Sequence, residues 1–147
     1  MKLDYKNMTQ DELLDCATLF AKCFQQDPWN EEWTIQQALD RLQEIMSSPH
    51  ALGYTVYHEG KMIGMLCGRV MTFMDFKEFW IDDFCISNNY QGKGLGSQFL
   101  DEVKIFLKDK EISRITLNTT RGFLSDKFYK KNGFKESDNL VTMYYCL

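Results

Sequence analysis

The chain has 147 residues, 44% hydrophobic and 14% aromatic, enough for one packed core in a single domain over residues 1–147. A net charge of −4 and a pI near 5.2 argue against a nucleic-acid partner gripped by a basic face, and suit a small cationic partner. Five cysteines, an odd number without any C-x-x-C spacing, set aside a zinc site or a disulfide framework and read as the reduced thiols of a cytoplasmic protein. The first residues, "MKLDYKNMTQDE", lack the apolar centre of a signal peptide, and no later run reaches membrane-spanning length.

In chain order, "KLDYK" (Lys2 to Lys6) alternates like a short strand. Thr9 and Glu12 form a capping box ahead of an apolar helical series, Leu13, Leu14, Ala17, Leu19, Phe20 and Phe24, which Pro28 ends. Trp33 to Met46 is a second helix with its own box, Thr34 and Gln37. Leu52 to Met71 reads as a hairpin turning at Glu59-Gly60, and Phe79 to Ile86 as a strand of bulky residues. A glycine loop follows, then a helix carrying Leu95, Phe99, Leu100, Val103, Phe106 and Leu107. Arg114 to Thr119 is a strand, and Leu124 to Gly133 a short helix stopped by Gly133. Asn139 to Leu147 is a last strand, with a further short one expected near Phe134. Hairpin-linked strands are antiparallel, while the unit from Phe79 to Thr119 is a parallel crossover, so the fold class is α/β with a mixed, mostly antiparallel sheet of six to seven strands and about four helices.

The loop, "NNYQGKGLGSQF", places Gly92, Gly94 and Gly96 at alternate positions against a helix start, a pattern that suits an anion held by backbone N–H groups. It is not a Walker A loop, because Lys93 lies between the glycines. Nor is it a dinucleotide fingerprint, because Ser97 stands where the third glycine belongs. It does fit Q/R-x-x-G-x-G/A at every fixed position, from Gln91 to Gly96. With "FCIS" before it and "FYKKNGF" (Phe128 to Phe134) near the end, the chain resembles the GNAT superfamily of acyl-CoA-dependent N-acyltransferases along essentially its whole length. The resemblance implies a GNAT fold whose fourth and fifth strands splay apart around acetyl-CoA, with no metal. It assigns the pyrophosphate to Gln91, Gly92, Lys93, Gly94, Leu95, Gly96 and Ser97, and the pantetheine arm to the backbone of Phe84, Cys85 and Ile86. Cys85 reads as packing, with a nucleophile as the alternative. Where members often carry an asparagine in the turn after the fifth strand, this chain has Gly122, and Asn118 or Thr119 stands in.

Transfer from a thioester to an amine needs a base for the amine proton, donors for the oxyanion, and an acid for the departing thiolate. The family pattern makes Tyr129 the acid and a coenzyme contact, against a packing role. For the base, Asp82, Asp83, Glu78 and a water relay stay open. Strand alternation alone puts Asp82 on the face of Phe84 and Ile86 and Asp83 on the opposite one, unless a bulge intervenes.

The loop "QQDPWNEEWT" (Gln25 to Thr34) sets Asp27, Glu31 and Glu32 among Trp29 and Trp33. Aromatic faces with carboxylates suit a cationic amine, so Trp29, Glu32, Trp33 and Asp82 form the expected substrate site, against simple packing of a helix corner. This loop and "IDDF" are similar to small bacterial aminoglycoside 6′-acetyltransferases. The leading expectation is an N-acetyltransferase acting on a small amine, aminoglycoside- or polyamine-like. A protein N-terminal or lysine acetyltransferase and a non-catalytic acyl-CoA-binding module are the alternatives. Neither nucleic acid nor membrane is expected as a partner, and the resemblance allows a homodimer.

Overall fold

A computed structural model describes all residues, 1–147. Its elements run β1 (Asp4–Asn7), α1 (Leu13–Gln25), α2 (Ile35–Met46), β2 (Ala51–His58), β3 (Lys61–Phe73), β4 (Phe76–Ile86), α3 (Leu95–Asp109), β5 (Arg114–Thr116) and α4 (Leu124–Lys131). The strands form one sheet in the order β1-β2-β3-β4-β5, antiparallel except for the β4–β5 pair.

Local chemistry sets the element ends. A 3-10 turn at Gln10–Glu12 leads into α1, and the Thr9 N–H donates to Glu12 Oε1 at 2.8 Å. The α2 box closes both ways, since the Gln37 N–H donates to Thr34 Oγ1 at 3.0 Å and the Thr34 N–H to Gln37 Oε1 at 3.0 Å. Beyond α4, the Gly133 N–H reaches the Lys130 carbonyl and the Phe134 N–H reaches the Tyr129 carbonyl, the paired bonds of a Schellman end.

The sheet carries apolar clusters on both faces. On one, Leu13, Cys16, Phe20 and Leu42 of α1 and α2 pack on Met65, Cys67 and Cys85. On the other, Phe99, Leu100, Val103 and Leu107 of α3 pack on Tyr54, Ile63, Leu66 and Phe79. These apolar faces are what hold β4 in the middle of the molecule, where the site is built.

Two expectations need correction. β4 starts three residues earlier than Phe79, because Met74, in the left-handed region at φ 53°, turns β3 directly into it. The sheet has five strands rather than six or seven. β5 is three residues long, no strand forms at Phe134, and Asn139 to Leu147 pairs with nothing. Glu136 forms ion pairs with Arg121 and Lys130, which hold the chain on the α4 side as it leaves Gly133. A segment held there meets no partner strand, and β propensity alone makes no ladder.

Candidate active site

The site starts where the sheet divides. β4 pairs with β5 only from Glu78 to Trp80, opposite Arg114 to Thr116, while its pairing with β3 continues to Ile86. Past Trp80, one edge of β4 therefore has no strand beside it. The Ser87 N–H donates to the Ile63 carbonyl at 2.7 Å. By alternation, Cys85 and Asp83 also turn their backbone groups to β3, and Phe84 and Ile86 turn theirs to the open side. Of the three residues expected along the pantetheine arm, Phe84 turns its backbone groups and Ile86 its N–H to this slot, the Ile86 carbonyl being taken by Gln91 and Cys23, and Cys85 offers none.

The glycine loop closes one end. Gly92 and Gly94 have φ values of +75° and +76°, and a Cβ added to either would meet nothing within 4 Å. Only glycine adopts this backbone at little cost, and the loop surrounds open space. Gly94 caps α3 without any side-chain bond, so the first N–H groups of the helix, from Leu95 to Ser97, stay available. Gly96 lies against Phe128, its position for a Cβ 3.2 Å from the ring. Gln91 turns inward, donating through Nε2 to the Ile86 carbonyl at 2.9 Å and to Asn88 Oδ1 at 3.0 Å. It braces the loop against the strand end. The Lys93 ammonium sits 5.5 Å from the Tyr90 ring. An open cradle with an uncapped helix start fits the diphosphate of coenzyme A.

Tyr129 stands across the slot, its ring 6.4 Å from Phe84, 5.2 Å from Phe128 and 5.3 Å from Phe134. Its hydroxyl is held above the usual phenol range, by burial first and then by Cys85 and Asp83. Asn132 anchors this helix to the loop, with Nδ2 donating to Ser97 Oγ at 3.1 Å and to the Phe128 carbonyl at 2.9 Å. Asn118 lies exposed two residues beyond β5.

The two aspartates do not follow simple alternation. Cys67 faces Asp83 and Gly68 faces Ile81, so Asp82 is the extra residue of a β-bulge. The bulge turns Asp82 away from the face of Phe84 and Ile86 and onto the face covered by α1 and α2, beside Asp83. Both are held by arginine forks. Arg41 of α2 donates to Asp83 through Nε at 2.9 Å and Nη2 at 3.2 Å. Arg69 of β3 donates to Asp82 through Nε at 2.9 Å and Nη2 at 3.0 Å. Burial pushes the Asp83 carboxyl above the usual range, and Arg41 offsets this only in part. Glu78 lies at the other end of β4, buried and bonded to Trp80, Arg114 and Thr116. That position ties β4 to β5 through Arg114 and Thr116.

A hydrogen bond with Cys23, then burial, keep the Cys85 thiol well above its usual range, so it stays protonated and packs. In the first loop, Trp29 stacks edge-on with Phe24 at 5.2 Å and Trp33 with Phe20 at 4.9 Å. Trp33 donates to Glu31 Oε1 at 2.9 Å, and the Arg41 guanidinium lies 5.9 Å from its ring. Trp33 thus reaches the aspartates through Arg41, whereas Glu32 points to solvent. Arg41, Arg69 and Asn132 are parts of the site that sequence reading missed. Only the bulge and the helix docking bring them in, and neither leaves a motif.

The sequence model of the Acetyltransferase (GNAT) family matches residues 13–134. Comparison with curated protein sequences gives no match. Among solved structures, an aminoglycoside acetyltransferase from an uncultured soil metagenomic sample, in complex with sisomicin, aligns over 99% of this chain and 96% of its own, with TM-score 0.78 and 16% identity. AAC(6')-Iy, in complex with the bisubstrate analog CoA-S-monomethyl-acetylneamine, aligns over 100% of both chains with TM-score 0.75 and 15% identity. A ribosomal-protein-alanine N-acetyltransferase from Brucella melitensis biovar Abortus 2308 aligns over 99% of this chain and 100% of its own, with TM-score 0.77 and 12% identity. At these identities the likeness is one of fold.

Proposed function

The chain belongs to the GNAT acetyltransferase family, and from that premise we propose that it acetylates a primary amine of a small cationic molecule, aminoglycoside- or polyamine-like. The observation that carries this reading is the slot beside Phe84 and Ile86, closed by the uncapped start of α3 and faced by Tyr129. Acetyl-CoA, bound there, supplies an acetyl thioester activated towards attack. The loop from Gln91 to Ser97 would hold its diphosphate, and the backbone groups of Phe84 and the Ile86 N–H would hold its pantetheine arm.

The chain's own residues then have three tasks. The Phe84 N–H offers a fixed donor for the charge that develops on the carbonyl oxygen. Tyr129 holds a proton that its raised pKa keeps in place at neutral pH, and it can pass that proton to the leaving sulfur. An amine with a pKa near ~10.4 arrives protonated and must lose a proton before it attacks. Asp83, next to Phe84 on β4 and held in place by the Arg41 fork, is our choice of acceptor for that proton, directly or through water. Asp82, with Glu31, Trp33 and the rest of the first loop, lines the approach on the same face and favours a cation.

The test is thiol release from acetyl-CoA with purified protein and a panel of aminoglycosides, polyamines, amino acids and short peptides. Turnover is expected with one class of small amine. Tyr129→Phe should lower kcat by roughly 100-fold while leaving coenzyme A affinity nearly unchanged. Turnover confined to peptides would overturn the substrate assignment, and coenzyme A binding without turnover of any amine would overturn the enzymatic one.

A further inference from the structure

Four of the five cysteines are buried, and they meet in one place. Cys16 and Cys23 are seven residues apart on α1 and so fall on one helix face, which packs on Cys67 of β3 and Cys85 of β4. The four thiols are not alike. Burial pushes Cys16 up to about 12 and holds Cys67 well above its usual range, and the Cys16 sulfur rests 3.8 Å from Met62 Sδ. Cys23 goes the other way. The hydrogen bond it shares with Cys85 holds its thiol below the usual range, while Cys85 is held above. A more acidic thiol that attacks, with a second thiol in contact to resolve, is the working arrangement of a dithiol couple.

Cys23 also lies beside open space. It lines a cleft of about 390 Å³ together with Asp15, Lys22, Lys61, Ser87 and Asn88, where α1 meets the β2–β3 turn and the chain leaving β4. Two ammonium groups against one carboxylate favour an anionic visitor. The sulfur pair stands directly behind the slot. Cys23 Sγ donates to the Ile86 carbonyl at 3.4 Å, the same carbonyl that Gln91 Nε2 holds at 2.9 Å, and Cys85 lies between Phe84 and Ile86 on β4.

We propose that Cys23 and Cys85 form a reversible dithiol–disulfide couple, reached through this cleft by small anionic disulfides, and that closing it weakens coenzyme A binding. The Cys23 thiolate attacks one sulfur of the small disulfide, forming a mixed disulfide on Cys23 and expelling one small thiolate. The Cys85 sulfur then attacks the Cys23 sulfur, forming the Cys23–Cys85 bond and expelling the second. The two protein thiols lose two electrons, which the small disulfide gains, and their two protons end on the two small thiols released. A covalent S–S bond is much shorter than a hydrogen bond between sulfurs, so β4 is drawn toward α1. It is free to give there, because past Trp80 no strand flanks it on the slot side. Phe84 and Ile86 move with Cys85. Formation of the couple stands apart from the acetyl-transfer reading, and its effect on coenzyme A rests on that reading.

The experiment uses the full chain carrying Cys146→Ser, because Cys146 is exposed and would react by itself. The protein is treated with oxidised glutathione at neutral pH and its peptides are mapped by mass spectrometry. The expected product is a pair of peptides joined through Cys23 and Cys85, free of glutathione and separated again by dithiothreitol. With Cys85→Ser, glutathione should stay on Cys23, and with Cys23→Ala neither product should form. Coenzyme A should bind the joined form at least ~10-fold more weakly than the reduced one. Thiols that stay free, glutathione retained on Cys23 while Cys85 is present, or a bond to Cys16 or Cys67 instead would each overturn the couple. Equal coenzyme A affinity in the two forms would overturn its effect on the slot. A reduced protein that binds no coenzyme A would sink the acetyl-transfer reading, with the couple still decided by the peptide map.

Discussion

Asp83 and Glu78 sit on one strand, both nearly buried, yet their environments pull in opposite directions. Burial raises Asp83, and the single fork from Arg41 does not restore it. Burial also raises Glu78, but bonds from Trp80, Arg114 and Thr116 outweigh it and leave that carboxyl below the usual range. The consequences for stability differ in sign. For Asp83 the folded pKa lies above the unfolded one, so its contribution is complete at low pH and is lost as pH rises through the folded value. For Glu78 the contribution is present above the unfolded pKa and is lost as pH falls through the folded one. Thermal melts from pH 3 to 7 check both. Relative to Asp83→Asn, the wild-type advantage in Tm should shrink as pH rises. Relative to Glu78→Gln, it should shrink as pH falls. In activity, Asp83→Asn is expected to lower kcat/KM by ~100-fold and to flatten the acidic limb of the pH profile, whereas an effect confined to KM would make Asp83 a binding group only.

The decisive element is the bulge in β4, and Gly68 is what permits it. A Cβ at Gly68 would stand 1.9 Å from the Trp80 carbonyl oxygen, against backbone that cannot swing aside as a side chain could. Gly68→Ala is therefore expected to cost ~2–4 kcal/mol, read as a fall in the urea midpoint at constant m. It should also reduce acetyl transfer in the molecules that remain folded, since Asp82 and Asp83 are aimed by that bulge. How much could be read beforehand follows from the same place. The two capping boxes, the Glu59-Gly60 turn and the helix start at Leu95 were legible because each depends on residues within four positions of one another. The bulge depends on two strands pairing out of step, and a period-2 reading of "FWIDDFCI" puts the aspartates on opposite faces. The arginine forks follow from the bulge, so they were equally hidden. The C-terminal segment departs from its strand-like sequence for the reverse reason. "NLVTMYYCL" has the composition of a strand, but a strand also needs a neighbour, and composition does not supply one.

For the molecule as a whole, the slot is a weakness in the architecture. β4 and β5 share three paired positions, and α4 reaches the loop at the start of α3 mainly through Asn132 and the Phe128 ring. The half carrying β5 and α4 is thus joined to the rest with few bonds on the slot side. A ligand lying along Phe84 and Ile86, with its diphosphate on the loop, would touch both halves and tie them together. Coenzyme A at ~100 times its Kd should add about 2.7 kcal/mol to stability, a rise in Tm of roughly 5–10 °C for a chain of this size. The rise alone would only report binding. The location of the bridge is tested by hydrogen exchange, where ligand-dependent slowing is expected in residues 124–131 as well as in 91–98. Gly94→Val puts a β-branched side chain at φ +76°, where it is strained, and should remove both effects with little change in the unliganded Tm beyond ~1–2 kcal/mol of strain. Slowing in 91–98 with no change in 124–131 would mean that the ligand rests on the loop alone and that Tyr129 is not brought to it.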